Sequence, residues 1–258
     1  MSKVEDGSRR REVRAKPAAA APRGNDRRAP SGIGIEGRPP LDRRGQILQI
    51  AAKHFAEFGY GATTIRKIAD SAQILSGSIY HHFDTKDEIL DGIIRDAVAF
   101  IAADTIRIAN AACDPEIKLV ALILLSLREL TRDQEAHSIL YNERRFLRHN
   151  PNFAYVAKFK IDMYCAWQAV IEEGSKSGRF KPSIDVFLTI STIVRMLNTC
   201  ADWFKHEGNY ELDTIKTYSL EEVIDFNIDF ILRAIRIETR IGEPIPREAA
   251  ARLVEERD

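Results

Sequence analysis

Cysteine is scarce in this chain. Cys113, Cys165 and Cys200 are the only three in 258 residues, far apart, with no CxxC pair and no companion histidine at ligand spacing. So odd and scattered a set argues against a disulfide framework, points to a reducing compartment, and reads as small buried hydrophobes. Long apolar runs are missing too. None reaches the ~18 residues of a membrane span, and Ala18 to Ala21 lack the longer apolar core of a secretory signal. The cytoplasm is the expected location, and no membrane is expected among the partners. Strand-like alternation and internal repeats are absent, which leaves helices as the building material. Catalytic signatures are wanting as well: there is no P-loop, GxGxxG, HExxH or nucleophile motif. An enzyme and a bound cofactor are therefore not expected. No metal is expected either, since His81 and His82 would need acidic or cysteine partners at fixed spacing to hold one.

Charge is present in quantity but unevenly spread. The formal net charge is zero, from 38 Lys/Arg and 38 Asp/Glu. Residues 1–44 hold twelve Lys/Arg against six Asp/Glu, while the remainder holds 26 against 32. A basic arm before an acidic body suits a chain that meets a polyanion at one end. Residues 1–41 are rich in Arg, Ala, Pro and Gly with almost no large apolar residues, so they cannot offset their ordering entropy and are expected to be a disordered basic arm.

From Asp42 the pattern turns helical. Ile47, Ala51 and Phe55 recur at i, i+4, i+8, with Leu48 and Ala52 widening the stripe toward Phe58 and Gly59 as the stop. Thr63-Thr64 offers caps for a second helix with Ile65, Ile68, Ala69 and Ala72 inward. A turn at Gln73–Leu75 follows, then a third helix capped by Ser76 and running to Phe83. Thr85-Lys86-Asp87-Glu88 is a capping box opening a fourth helix toward Ala112. Further helices are expected over Ile117–Leu130 behind Pro115, Ser138–His149, about Asn152–Ser177, Ile184–Phe204 and Leu220–Ile237. The fold class is all-α: a helix-turn-helix domain over 42–92, a second helical domain over 93–240, and a loose tail or short final helix over 241–258.

The stretch Thr64 to Lys86, TIRKIADSAQILSGSIYHHFDTK, carries the chemistry. Two short helices meet at a tight turn, and the second opens with small residues. Such a start lets free N–H groups and the helix dipole approach a phosphate, while Tyr, His, Ser and Thr bond phosphates or base edges. This is the design of a helix-turn-helix DNA reader. Taken singly, Ser76 and Thr64 could be plain caps and Lys86 plain surface; taken in this order they favour DNA.

The longer run FAEFGYGATTIRKIADSAQILSGSIYHHFDTKDEIL resembles the N-terminal domain of the TetR family of transcriptional regulators. Phe55, Gly59, Thr63-Thr64, Ile68-Ala69, Ser76-Gly77-Ser78, Tyr80, Phe83, Lys86 and Leu90 carry the likeness in fixed order. The resemblance implies that Thr64 and Arg66 meet phosphate and that Ser76, Gly77 and Ser78 lie at the mouth of the recognition helix. It implies too that Tyr80, His81 and His82 contact phosphates and bases, and that Lys86 clamps a phosphate. It further implies a homodimer on near-palindromic double-stranded operator DNA, acting as a repressor released by a small-molecule effector. The alternative class is a helical protein-interaction module with a vestigial helix-turn-helix. Residues 42–90 hold six Lys/Arg and six Asp/Glu, so the reader itself is not net basic. Arg23, Arg27, Arg28, Arg38, Arg43 and Arg44 are placed to add phosphate or minor-groove contacts, or to be a solubilising tail.

Two late stripes suit an intersubunit four-helix bundle by the same resemblance: Val186, Ile190, Ile193, Val194 and Leu197, and Val223, Ile224, Ile228, Ile231 and Ile235. The alternative is that they face the monomer core. Effector contacts are expected at Tyr141, Arg145, Phe159, Met163, Trp167, Met196 and Trp203. Arg144, Arg145, Arg148, Lys158 and Lys160 suit an anionic amphipathic ligand. The order YNERRFLRHNPNFAYV…AWQAVIEEGSKSGRFKPSIDVFLTI is similar to regulators of acyl-CoA or sterol-catabolism genes, which implies an acyl-CoA-like effector.

Overall fold

The computed structural model describes residues 41–203 and 218–256, without the side chains of 201–203. The arm, the Trp203 side chain and Phe204 lie outside the described residues. Eleven α-helices account for most of what is described: α1 Arg43–Phe58, α2 Ile65–Ser71, α3 Ser76–Ile79, α4 Lys86–Ala109, α5 Pro115–Arg132, α6 Gln134–Asn142, α7 Arg144–His149, α8 Ala154–Lys176, α9 Val186–Trp203, α10 Leu220–Ile235 and α11 Arg247–Glu255. Short polar side chains set most of the starts. Asp42, Thr64, Thr85, Asp114 and Ser219 each accept a first-turn N–H of α1, α2, α4, α5 and α10, which satisfies donors that have no partner inside a helix. At Ser219 the capping box is reciprocal with Glu222. At Thr85 it is split: Thr85 accepts from Glu88 N, while the Glu88 carboxylate accepts from Asp84 N.

Two apolar clusters form the interior. One joins α1–α4 with Ile139, Leu147, Phe153 and Val156 from the α6–α8 stretch. The other is centred on α5, buried along nearly its whole length between α8, α9, α10 and α11. The 24-residue α4 reaches both, so the expected division at residues 92 and 93 falls inside one continuous helix about 36 Å long. The helix-turn-helix end and the body therefore share core rather than meeting through a linker. Beneath α8, Gly174 admits Phe180, whose ring would lie 2.0 Å from any Cβ built there.

Several features differ from the sequence expectation. Ser138–His149, expected as one helix, is two, because the chain breaks at Glu143 and α6 already starts behind the cap of Asp133. Phe58, expected inward, is 51% exposed. Of the two forms expected after residue 240, residues 247–255 take the short final helix, with Ala250 and Val254 of α11 buried in the α5 cluster. The stripes expected to pair two subunits mostly face inward as well. Ile190, Ile193, Leu197, Val223, Ile224, Ile228, Ile231 and Ile235 are buried within one chain, because a helix as long and central as α5 needs apolar neighbours on every side. The outward apolar rows are others: Phe187 and Leu188 on α9, and the stacked pair Phe226 and Phe230 on α10.

Candidate nucleic-acid interface

The reader is set by a few local bonds. Thr63, fully buried, donates its hydroxyl to the carbonyls of His54 and Gly59 at 3.1 and 2.9 Å, and so ties the α1–α2 connection to the end of α1. Thr64 then caps α2 by accepting from Lys67 N at 3.2 Å. At the other end Ile74 N donates to Ala69 O and Gln73 N to Asp70 O. That pair of bonds closes a helix when the residue between is left-handed, and Gln73 is, at φ +54°. The turn aims α3 away from α2. Ile79 and Phe83 are buried and anchor the far side of α3, while the Arg44 guanidinium lies 4.8 Å above the Phe83 ring.

The third helix is shorter than expected. Regular α-helix covers Ser76–Ile79, and the segment closes with His82 N and Phe83 N both donating to Ile79 O. Its N-cap is Leu75, not Ser76, and Leu75 makes no side-chain cap. Around this turn the surface is bare. Tyr80 is 55% exposed and Leu75 81%. Gly77, His81 and His82 are exposed and Ser76 and Ser78 half-buried. A Cβ built on Gly77 meets nothing within 4 Å. Arg66, with only a loose 3.8 Å pair to Asp70 and 85% of its side chain exposed, faces solvent on α2. Arg66, Gly77, Tyr80, His81 and His82 are thus each exposed, with Thr64 committed as a cap.

Lys86 is placed differently. Its ammonium donates to the carbonyls of Tyr60 and Thr63 at 2.8 and 2.9 Å and sits 4.0 Å above the Tyr60 ring. Burial lowers its pKa, against the pull of Asp87 and Glu143. Two of its three N–H donors are therefore spent on holding the α1–α2 connection to the start of α4.

Lys86 belongs to a cluster that links the reader to the body. Tyr60 N donates to the Glu143 carboxylate at 2.8 Å, across 83 residues of sequence. The Tyr60 hydroxyl donates to Asp87, which also accepts from Asn150 at 2.8 Å and more weakly from Asn152 at 3.4 Å. The Tyr60 ring packs on Phe146 at 4.7 Å. Burial pushes the Tyr60 phenol well above its ordinary value, and the Asp87 bond adds to it. Burial also pushes Asp87 up, but the bonds from Tyr60, Asn150 and Asn152 and the charge of Lys86 outweigh it, leaving the carboxyl below the usual range.

An open cleft of about 640 Å³ lies beside this cluster, lined by Glu143, Arg145, Phe146, His149, Asn150 and Pro151. Of the residues expected to meet an effector, Arg145 lines it. Tyr141 is partly exposed beneath the Arg144 guanidinium. Phe159 stands edge-on to Tyr155. Met163 and Met196 pack against the α5 cluster, and Trp167 is buried in it. The structure thus distributes them over α6 to α9 and does not bring them into one described pocket. In the basic set Lys158 pairs with Asp162 at 2.9 Å; burial, then Arg148 and Arg144, lower the pKa of Lys160.

Sequence reasoning missed Leu75, Gln73, Tyr60, Asp87, Glu143 and Asn150. With Ser76 expected as the cap of the third helix, nothing in the sequence set Leu75 apart from the turn. Nothing in local pattern ties Glu143 to Tyr60.

The chain is similar to known proteins in both sequence and fold. Residues 47–93 fit the pattern of bacterial regulatory proteins of the tetR family, and residues 112–234 a tetracyclin repressor-like C-terminal domain. The chain is 34% identical over 194 residues to the HTH-type transcriptional repressor KstR2 of Rhodococcus jostii, covering 72% of this chain and 95% of that protein. It is 35% identical over 170 residues to KstR2 of Mycolicibacterium smegmatis, covering 66% and 82%. Among solved structures, the ketosteroid transcriptional regulator KstR2 of Mycobacterium tuberculosis aligns with a TM-score of 0.71 at 29% identity, over 78% of this chain and 98% of that one.

Proposed function

The chain belongs to the TetR family of bacterial regulatory proteins, and from that premise we propose a homodimeric cytoplasmic repressor of the steroid-catabolism type. It holds near-palindromic operator DNA and lets go when a small hydrophobic, acyl-CoA-like effector binds. The observation that carries this reading is the bare surface of α3 and the turn that follows it. Gly77 in the helix and Tyr80, His81 and His82 after it are unburied, and Gly77 has open space where a side chain would stand. A turn this small covers one short half-site, so two copies about one DNA turn apart are needed for specific binding. The apolar rows Phe187–Leu188 and Phe226–Phe230 are the surface for the second copy, since aromatics in a row of that exposure mark an interface. Among the described residues no helix is long and apolar enough to cross a membrane.

Release is a population shift. An effector changes operator affinity only by binding one arrangement of the two readers more tightly than another. The link available for it is the cluster in which Glu143 and Asn150 grip Tyr60 and Asp87. Arg145 and His149 on the adjoining cleft suit an anionic headgroup, and the apolar side chains of α8 and α9 suit its tail.

The test is a fluorescence anisotropy titration of duplexes from the intergenic DNA flanking the gene, repeated with steroid-ring and fatty acyl-CoA thioesters, with dimerisation followed by sedimentation. Sequence-dependent binding, weakened at least tenfold by one thioester class, is expected. A Phe226→Arg variant is expected to sediment as monomer and to lose operator affinity. Binding indifferent to every thioester would remove the effector assignment, and a wild-type monomer on DNA would remove the dimer.

A further inference from the structure

We propose that Leu75 reads sequence: its side chain packs against the 5-methyl group of a thymine in the major groove. The inference rests on the reading of α3 as the groove-facing element. Leu75 holds the N-cap position of α3, with φ −72° and ψ 142°, and gives the helix no side-chain cap. Cap positions favour Ser, Thr, Asp and Asn because their oxygens accept a first-turn N–H. This chain places such residues at α1, α2, α4, α5 and α10. Leucine at α3 therefore contributes nothing as a cap. It contributes nothing to the core either, at 81% exposure the barest large apolar side chain among the described residues. Two positions on, Gly77 occupies helical backbone where nothing within 4 Å would oppose a side chain. A glycine there weakens the helix with no intramolecular reason. An apolar side chain left in water beside a backbone left bare marks a surface that another molecule approaches closely.

The chemistry of that molecule is restricted. A Leu side chain has no donor or acceptor, so it cannot replace the water bonded to a phosphate or to a base N or O atom. Each such contact would strand a polar group. Base edges in the major groove present one apolar group, the thymine C5-methyl. Leu75 thus suits a step that carries thymine at the position facing the start of α3, in both halves of a near-palindrome.

Deoxyuridine differs from thymidine by that methyl alone, which makes the test direct. A duplex from the flanking intergenic DNA, narrowed by footprinting, is rebuilt with deoxyuridine replacing each thymine in turn, symmetrically in both half-sites. Wild type and Leu75→Ala are titrated against the series. At one symmetric position the wild type is expected to lose affinity by about fifteenfold, one methyl per half-site. Leu75→Ala, whose melting temperature stays that of wild type, is expected to lose less than twofold there. Uracil tolerated within twofold at every position, or a loss that Leu75→Ala retains, would overturn the proposal while leaving the DNA-binding assignment standing. Absence of wild-type binding to any flanking duplex would overturn both.

Discussion

Replacing Gly77 by Ala should separate what the fold needs from what the partner needs. Gly77 is the second residue of α3, and the added methyl would meet nothing within 4 Å. Within the protein the change is therefore free of clash. It also removes the backbone freedom that makes glycine about 1 kcal/mol worse than alanine in a helix. Near a helix start part of that gain is expected, about 0.5–1 kcal/mol, which for a body of this size raises the melting temperature by roughly 1–4 °C. Against DNA the sign reverses. If the backbone at Gly77 lies in van der Waals contact with the duplex, a methyl overpacks each half-site at a cost of about 1–3 kcal/mol. For a dimer the loss of operator affinity then exceeds tenfold. Thermal melting by circular dichroism and anisotropy titration on the same preparation give both numbers. A variant that is more stable and still binds at wild-type strength would refute the placement of this backbone against the groove. A variant that melts lower would refute the open space around it.

Other substitutions follow from the same geometry. Gln73 holds a left-handed φ of +54° at the position where glycine usually closes a helix, so Gln73→Gly should stabilise by about 0.5–1 kcal/mol in urea denaturation once the entropy of the unfolded chain is allowed for; a loss of stability would contradict that assignment. Gly174→Ala places a methyl 2.0 Å from the Phe180 ring, and a drop of about 1–3 kcal/mol is expected, with partial recovery in a Gly174→Ala, Phe180→Leu double variant; an unchanged melt would mean that Phe180 packs elsewhere. Asp87 has its carboxyl held below the ordinary range, so its contribution to stability is present above the unfolded value of about 3.9 and is lost as pH falls through the lower folded value. Stability should thus decline more steeply below about pH 4 in wild type than in Asp87→Asn, and parallel pH curves would show that the hydrogen bonds to Asp87 carry no such weight.

How much of this was legible beforehand depends on the range of the interaction. Short polar caps such as Thr64, Thr85 and Ser219, the apolar rows of α1 and α2, and Pro115 at the start of α5 lie within a few residues of what they control, and the pattern shows them. Which face of α9 and α10 turns outward was not legible, because both faces are apolar and α5, not any local rule, claims Ile193 and Ile228. The break at Glu143 was hidden for the same reason: its carboxylate serves Tyr60, far away in sequence. Lys86 was legible as important but not in its geometry, since a cation at a helix start is equally suited to a phosphate and to two carbonyls. Leu75 was hidden behind Ser76, which the sequence offered as the cap; only the structure puts Leu75 at the cap and leaves it 81% exposed.

The claim beneath all of this is that the face bearing Tyr80 lies in the groove of a specific duplex. One titration tests it most directly: wild type and Tyr80→Ala, on flanking intergenic DNA and on a scrambled duplex of equal length, at two salt concentrations. The wild type should prefer the intergenic duplex and lose affinity steeply with salt. Tyr80→Ala should lose that preference while keeping the wild-type melting temperature, since its ring is more than half exposed. Full retention of sequence-specific affinity by Tyr80→Ala would place another surface against the DNA and contradict the account.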